Sequence, residues 1–220
     1  THPDKAEMAM VDGTLYFIAE HENGTELYYI KNSTGITAEV VWSIYPSLPS
    51  GLSINPATGE EIQIYSEHSE PEVQQILDQT VEVQRKWAAT DLEFRLNCLE
   101  QIAGTLRDRK REYAVLMAQE MGKPVAQAEG EVEKCAWLCD YYRQSAPEFL
   151  ADKTLEIVGQ KSLVTIQPIG LILGVMPWNF PFWQVFRFAI PTLTAGNGAI
   201  LKHASNVQGC ALAIESCFKD

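Results

Sequence analysis

The stretch from Pro168 to Ser205 decides the fold of this chain. It reads P-I-G-L-I-L-G-V-M-P-W-N-F-P over residues 168–181 and, after a mixed apolar run, A-G-N-G-A-I-L-K-H-A-S over residues 195–205. The segment Leu171–Met176 is short and almost wholly apolar, which predicts a strand buried on both faces, as in a parallel sheet. Pro177 and Pro181 predict a turn after it, because two prolines four residues apart cannot lie in a central strand.

A helix and a second strand are predicted after this turn. Apolar residues from Phe182 onward predict a buried helix that ends by Gly196, and Ala199–Leu201 is a second apolar run that ends at Lys202. Strand, helix and strand make one βαβ unit, whose right-handed crossover joins parallel strands. We therefore expect an α/β fold built on a parallel sheet.

Polar side chains lie where the two predicted strands end. Trp178 and Asn179 follow the first strand, and Lys202 and Ser205 follow the second. Open α/β sheets bind ligands at the carboxyl edge of their strands, so an amide donor and a cation face one crevice suited to an anionic ligand such as a nucleotide. Spacing alone equally allows Trp178 to be a core residue and Lys202 a solvated strand end.

The two quoted motifs identify a family. P-W-N-F-P followed by A-G-N-G-A-I-L-K-H-A-S resembles the aldehyde dehydrogenase superfamily, and most of all its succinate-semialdehyde dehydrogenase branch. The resemblance runs from about Ser53 to Asp220. It implies a Rossmann-like parallel sheet, incomplete in this chain, and oxidation of an aldehyde, succinate semialdehyde by preference, to the carboxylate with NAD(P)⁺. In the family a cysteine thiolate attacks the aldehyde, hydride leaves to the nicotinamide, and a glutamate-activated water hydrolyses the thioester.

The resemblance also assigns roles to single residues. Asn179 matches the amide that holds the oxyanion, and Lys202 matches the lysine that holds the adenosine ribose. Ser205 stands where NAD-preferring members carry a glutamate. A hydroxyl there does not repel a 2′-phosphate, so NADP⁺ is the expected cofactor, with NAD also possible. Met176 and Pro177, with Trp178, resemble the loop that lines the cofactor site.

Arg187 carries the expectation about the substrate. It lies eight positions after Asn179, where succinate-semialdehyde members have an arginine, and a guanidinium can bind a distal carboxylate in bidentate fashion. The alternative is a structural arginine that satisfies a backbone carbonyl.

The family's nucleophilic cysteine and general base are not expected among these residues. Glu215 and all five cysteines fall on scaffold helices or on the helix after Ser205. On this resemblance the chain is the amino-terminal third of a dehydrogenase, preceded by an unrelated segment and inactive alone. The cysteines form no zinc framework, and core packing in a reducing cytoplasm is favoured over metal binding. They are Cys98, Cys135, Cys139, Cys210 and Cys217.

Composition limits the partners. The net charge of −12 argues against nucleic acid or an anionic membrane as a partner. No apolar run reaches the roughly 18 residues that a membrane helix requires, and no targeting segment is visible. The reducing compartment that the cysteines favour makes a cytoplasmic protein the expectation.

Residues 1–50 lie outside the dehydrogenase pattern. Leu15–Ala19 and Glu26–Ile30 are β-rich runs joined by a hairpin signal at residues 22–24, and Val40–Ile44 is a third run. They weakly resemble one unit of a secreted β repeat with an E-L-W-x-x-D-G-T signature. An unrelated three-stranded β extension is equally compatible. The boundary is expected near residues 48–51, with a dehydrogenase part over 51–220.

Three helices and a ribbon are predicted between this boundary and the βαβ unit at 168–220. Ser69 and Glu72 predict a capping box at the start of the first helix. The second is predicted from Thr90 to Gly122, with a solvated basic middle, and the third from Val125 to Ser145, ending before Pro147. Residues 153–167 predict the two-stranded ribbon through which the family's subunits associate, so a homo-oligomer is expected. The apolar face of the first helix comprises Val73, Ile76, Leu77, Thr80, Val83 and Trp87.

Two other functions remain open at the level of sequence. One is a non-catalytic β-repeat or binding protein defined by residues 1–50, with the dehydrogenase part joined through a misassembled reading frame. The other is a pseudo-enzyme that binds nucleotide without chemistry. A single peptide across the boundary would establish that the two parts form one product.

Overall fold

The computed structural model describes residues 6–11, 14–21, 24–30, 52–157 and 160–219. Contacts divide the chain into two units, Thr1–Pro49 and Ser50–Asp220. The first unit contains an antiparallel sheet with the order β1 (Ala6–Val11), β2 (Thr14–His21), β3 (Gly24–Ile30).

The predicted hairpin is the pair β2–β3, and its pairing is confirmed, since Leu15 lies opposite Ile30 and His21 opposite Gly24. Strand β1 was not predicted from the sequence. The run at residues 40–44 lies outside the described residues.

The second unit is mainly helical, with three pairs of short strands. Its helices are α1 (Glu70–Ala88), α2 (Leu92–Asp108), α3 (Lys110–Met121), α4 (Val125–Phe149), α5 (Pro181–Thr194) and α6 (Gln208–Cys217). Its strands are β4 (Leu52–Ile54), β5 (Glu61–Ile64), β6 (Lys153–Ile157), β7 (Gln160–Val164), β8 (Leu171–Met176) and β9 (Gly198–His203).

The hydrophobic core lies between α2, α3, α4, α5 and α6. Phe182 and Phe186 of α5 stack with ring centres 6.4 Å apart, and Tyr113 of α3 packs on Phe182 at 5.1 Å. All three side chains are fully buried. Helix α5 is therefore held on the scaffold by aromatic side chains.

The βαβ unit is confirmed. Strands β8 and β9 pair in parallel, with Leu171 opposite Gly198 and Met176 opposite His203, and α5 connects them. Residues 177–180 form the predicted turn, and α5 begins at Pro181, which is tolerated in a first helical turn.

The prediction that β8 is buried on both faces is wrong. Leu173 is 47% exposed and Val175 is 63% exposed. Helix α5 covers the other face so closely that a Cβ on Gly174 would lie 2.5 Å from the Phe188 ring. The continuous apolar run predicted that other elements pack on both faces of the strand. Among the described residues, the central part of the strand is packed on one face, by α5.

The predicted second helix is two helices. Asp91 caps the start of α2, where its carboxylate accepts from the Phe94 N–H at 2.7 Å, but the helix breaks at Arg109 and α3 starts at Lys110. The Arg109 guanidinium pairs with Glu112 and lies over the Tyr113 ring. Packing of α3 against α4 and α6 overrides the continuous helical pattern of the sequence.

The third helix is longer than predicted. It continues through Pro147 to Phe149. The proline lies in the final turn, where the Leu150 N–H still reaches the Ala146 carbonyl at 2.9 Å, so the missing N–H does not end the helix.

The basic middle of the predicted second helix is paired rather than simply solvated. Arg107 contacts Glu133 and Asp140, and Lys110 contacts Glu133, all across to α4. These ion pairs join α2 and α3 to α4 at the surface.

Helix α1 has the predicted cap and a shallower face than expected. The Glu72 carboxylate accepts from the Ser69 N–H and hydroxyl, both at 2.7 Å. Ile76 and Val83 are 40% and 62% exposed, so they do not belong to a buried face. Trp87 is half-buried and donates its indole N–H to the Leu193 carbonyl at 2.8 Å.

The ribbon prediction is confirmed over a shorter range. Strands β6 and β7 pair antiparallel, with Lys153 opposite Val164 and Ile157 opposite Gln160. Leu155 and Leu163 are 47% and 54% exposed.

Among the described residues, none of the helices combines the length and the apolar composition that spanning a membrane requires.

Candidate functional site

The structure brings the predicted site residues to one edge of the parallel pair. Met176 ends β8, and the turn after it presents Pro177, Trp178 and Asn179, all three exposed. Trp178 is 51% exposed, so it is not the core residue that spacing also allowed. The turn therefore displays an indole and a side-chain amide beside the end of the strand.

The second strand supplies the other half of this edge. Lys202 is exposed and lies inside β9 as its penultimate residue, opposite Val175, rather than after its end. Ser205 opens the short 3₁₀ turn Ser205–Val207 that leads into α6. Because the strands are parallel, the ammonium and the hydroxyl lie at the same sheet edge as the turn.

Arg187 lies two helical turns after the turn, on α5. Its neighbours Phe186 and Ala189 are buried, whereas Arg187 is exposed. Within the part of the chain that the structure describes, its guanidinium bonds no carbonyl or carboxylate. The geometry leaves it available on the outer side of the helix.

A buried ion pair that the sequence did not reveal supports the turn. The Glu131 carboxylate on α4 pairs with the Lys123 ammonium in the loop before α4, and the two side chains are 2% and 8% exposed. Glu131 Oε1 also accepts from the Phe182 and Trp183 N–H groups, both at 2.9 Å. A pair between a loop and a helix, bonded to an element 51 residues away, has no local sequence signal.

His203 is a second residue that the sequence reading missed. Its Nδ1 accepts from the Ala204 N–H at 2.8 Å, so Nε2 carries the proton and donates to the Pro181 carbonyl at 2.9 Å. Burial lowers the pKa of His203 below its ordinary value, which favours the neutral imidazole. The imidazole thereby joins the end of β9 to the first residue of α5.

Asn197 is the polar residue inside the A-G-N-G motif, and its hydrogen bonds explain its place there. Its Oδ1 accepts from the Ile169 and Gly170 N–H groups at 2.7 and 3.1 Å. The Gly198 N–H donates in turn to the Gly170 carbonyl at 2.9 Å. The motif therefore fixes the start of β8 against the start of β9, and the site lies at the opposite ends of both strands.

Glu120 holds the segment after Ser205 from behind. It is 2% exposed, and its carboxylate accepts from the Gly209 and Cys210 N–H groups at 2.8 Å and from the Ser53 hydroxyl at 2.8 Å. A carboxylate at the N-terminus of a helix satisfies N–H groups that lack intrahelical partners and complements the helix dipole. Helix α6, and the turn before it, are thus anchored to α3.

Four of the five cysteines are packed in the core, as predicted. Cys135, Cys139, Cys210 and Cys217 are buried, Cys98 is half-buried, and all five are free thiols. Burial raises the pKa of Cys135 and Cys210 well above the ordinary value, and that of Cys139 to about 12. In the described ranges, no three His, Cys, Asp or Glu side chains form a group that could hold a metal ion.

These features define an α/β protein that carries an amide, an ammonium and a hydroxyl at the carboxyl edge of a pair of parallel strands, the edge at which open α/β sheets bind ligands. The chain belongs to the aldehyde dehydrogenase family, which matches residues 49–220.

Relatives within the family are named as succinate-semialdehyde dehydrogenases. A probable NADP(+) enzyme of Synechocystis is 48% identical over 167 residues, which is 76% of this chain and 37% of the relative. The NAD(P)+ enzyme Sad of Escherichia coli is 42% identical over 169 residues, 77% of this chain and 37% of the relative. The chain thus spans a little over a third of the length of the curated relatives it matches.

Solved structures show the same fold. The succinic semialdehyde dehydrogenase of Streptococcus pyogenes, in complex with NADP+, aligns with a TM-score of 0.75 at 34% identity. It covers 77% of this chain, which covers 38% of that one. The fold of this chain is therefore an incomplete form of the family's Rossmann-like fold.

Proposed function

We propose that the Ser50–Asp220 unit carries the start of the cofactor site and the oxyanion donor of an NADP⁺-dependent succinate-semialdehyde dehydrogenase. The observation that carries the proposal is the placement of Asn179, Lys202 and Ser205 at one edge of β8 and β9. The names of the relatives from Synechocystis and Escherichia coli support the substrate and the cofactor.

Asn179 has the chemistry of an oxyanion donor. Its amide donates a hydrogen bond without a proton that could be lost, and it lies exposed on the turn. Charge develops on the aldehyde oxygen as a thiolate attacks, so such a donor acts in the transition state. Removal of a donor of this kind costs on the order of 10²–10³ in turnover.

Lys202 and Ser205 are proposed to bind the adenosine end of NADP⁺, and Met176, Pro177 and Trp178 to line its site. When bound, the cofactor accepts hydride from the substrate. The Ser205 hydroxyl donates to a 2′-phosphate, whereas a carboxylate at this position would repel it. NADP⁺ is therefore preferred, and NAD⁺ is accepted less well.

Arg187 is proposed to bind the distal carboxylate of the substrate. Its exposed guanidinium, eight residues after Asn179 on the helix that leaves the turn, supports this role. A planar guanidinium binds a carboxylate bidentately, and lysine cannot replace it in that geometry.

Turnover requires a thiolate and a general base that we assign to none of these 220 residues. The burial of four cysteines and the raised thiol pKa of Cys98, Cys135, Cys139 and Cys210 oppose a nucleophilic role. Glu215 is exposed and pairs with Lys219 at the surface. The chain alone is therefore expected to be inactive.

The five free thiols support a reducing, cytoplasmic location. The division at residues 49 and 50, together with the family match from residue 49, supports a separate β-rich amino-terminal domain. A native peptide spanning Ser47 to Glu60, detected by mass spectrometry, is the expected result if both domains belong to one product.

The test is an assay of the complete product of the reading frame that contains this chain. We expect reduction of NADP⁺ with succinate semialdehyde and a higher kcat/KM than with NAD⁺. The Ser205→Glu variant should lose this preference, while Ser205→Ala should largely keep it. Arg187→Met should raise KM for succinate semialdehyde and leave KM for butanal, which lacks the carboxylate, unchanged.

Two results would count against the proposal. Absence of activity on any carboxylated semialdehyde would remove the substrate assignment. Full activity of an Asn179→Ala variant would remove the oxyanion assignment.

A further inference from the structure

The buried pair of Glu131 and Lys123 contacts the end of the turn at residues 177–180 and the start of helix α5. Helix α5 begins directly after the turn, and its N-cap residue is Phe180, whose side chain makes no cap hydrogen bond. The first N–H groups of such a helix need other acceptors. Glu131 Oε1 provides one for both Phe182 and Trp183, from a position 51 residues before Phe182 in the chain.

Lys123 makes the complementary contact on the other side of Pro181. Its Nζ lies 3.8 Å from the centre of the Phe180 ring, while it pairs with Glu131. A cation over an aromatic face at this distance is attractive, and more so when it is withdrawn from water. The ion pair thus contacts the residues immediately before and after Pro181, whose carbonyl accepts from His203.

Stability does not explain why an ion pair occupies this place. Two charges that leave water lose solvation that their attraction only partly offsets, so apolar residues of similar volume serve a core equally well. What the charged pair adds is directional bonding to two N–H groups and one ring. All three belong to the residues that follow Asn179.

We propose that Glu131 and Lys123 are positioning residues that set the Asn179 amide, an inference that rests on the function proposed above. Asn179 directly precedes Phe180, and the turn is otherwise exposed, with Trp178 at 51% and Phe180 at 44%. An oxyanion donor works only when its N–H lies within hydrogen-bond range of the developing charge. A looser turn therefore reduces stabilisation of the transition state more than it reduces the affinity for substrate.

The first test uses the 220-residue chain and a paired substitution, Lys123→Met with Glu131→Gln. Replacing both partners leaves no unpaired buried charge, and the neutral Gln oxygen accepts more weakly from the two N–H groups than the carboxylate does. Hydrogen exchange read by mass spectrometry should show roughly tenfold faster exchange in peptides covering residues 178–186, with exchange in α2 and α3 unchanged. The matched control is Lys110→Met with Glu133→Gln, another pair that reaches α4, whose two side chains are about two-fifths exposed.

A second variant covers the case in which the paired substitution does not fold. Phe180→Leu leaves the ion pair intact and removes the ring beneath the ammonium. It should also speed exchange in the turn, though less. The proposal would be overturned if the variants that fold exchange hydrogen in the turn at the wild-type rate. It would also be overturned by a uniform increase over the whole unit, because a merely structural pair changes global stability without this local pattern.

The second test uses the complete gene product. The paired substitution should lower kcat by about tenfold or more while KM for NADP⁺ and for the semialdehyde stays within about twofold. In an Asn179→Ala background it should have no further effect, because both changes act on one interaction. Additive losses would show that the pair acts elsewhere. If the gene product oxidises no semialdehyde, the proposed function fails, and the exchange experiment still decides whether the pair holds the turn.

Discussion

At the scale of single residues, buried polar side chains of the Ser50–Asp220 unit join distant segments of the chain through hydrogen bonds. Glu120, Glu131, Asn197 and His203 are each at least nine-tenths buried and each bonded to backbone groups of another element. Burying such groups is tolerated only when their hydrogen bonds are complete. In the described part of the chain, no buried side-chain N or O atom lacks a partner.

His203 gives this unit a component of acid sensitivity. Burial lowers its folded-state pKa, so the unfolded chain binds the proton more tightly. Its contribution to the free energy of unfolding is complete above the unfolded pKa of about 6.5 and falls as pH decreases from there toward the folded pKa. We expect urea unfolding between about pH 7 and pH 5 to show this decrease in wild type and a smaller one in His203→Gln.

The control for that measurement is His68→Gln, since His68 lies on the surface. It should retain the wild-type dependence on pH. An identical dependence in wild type and His203→Gln would contradict the assignment.

At the scale of elements, α5 is fixed at both ends by side chains of other helices. Its C-terminal carbonyls at Leu193 and Thr194 accept from Trp87 and Arg95, at 2.8 and 3.0 Å, and the Gly196 carbonyl accepts from Gln84 at 3.0 Å. The last carbonyls of a helix have no intrahelical partner, and a cation there also complements the helix dipole. Glu131 and Arg95 therefore provide opposite charges at the two ends of α5, each with the appropriate sign.

Loss of the C-terminal cap should destabilise the unit. Arg95→Met leaves the carbonyl of the buried Thr194 without its donor, so the free energy of unfolding should fall by about 1–3 kcal/mol. Thermal or urea unfolding measures the change. Arg85→Met is the matched control, because Arg85 is exposed and pairs with Glu82 on its own helix, and it should change stability by less than about 0.5 kcal/mol. Equal losses in the two variants would contradict the capping role.

Much of the element level could be predicted from local sequence. The bounds of Leu171–Met176, the capping box at Ser69 and the helix stop at Gly122 agree with the prediction, because apolar run length and cap chemistry act within a few residues. The break at Arg109 could not be predicted in this way. It depends on α3 packing against α4 and α6, which are distant in sequence.

At the scale of the whole molecule, the β6–β7 ribbon exposes apolar side chains on both of its faces. The register places Leu155 and Val164 on one face of β6–β7 and Leu163 on the other, and all three are 46–54% exposed. A two-stranded ribbon is marginally stable alone, and its edges can pair with another strand. We therefore propose that copies of the chain associate through it.

Sedimentation velocity tests this association. The complete gene product should sediment as a dimer or larger, and Leu155→Glu with Val164→Glu should shift it toward monomer, because a charge on the shared face opposes burial there. The control is Val83→Glu, a similarly exposed apolar position on α1, which should leave the assembly unchanged. A monomeric wild type at micromolar concentration would contradict the proposal.

The sequence by itself determined the family, the parallel βαβ unit and the residues at its carboxyl edge. Those features depend on short apolar runs, on prolines and glycines at turns, and on motif residues that follow strand ends. Only the tertiary structure decided what holds that edge in place. Glu131, Glu120 and His203 bond backbone groups 51, 89 and 22 residues away. No periodicity or spacing encodes such pairs, because they exist only once the helices have packed.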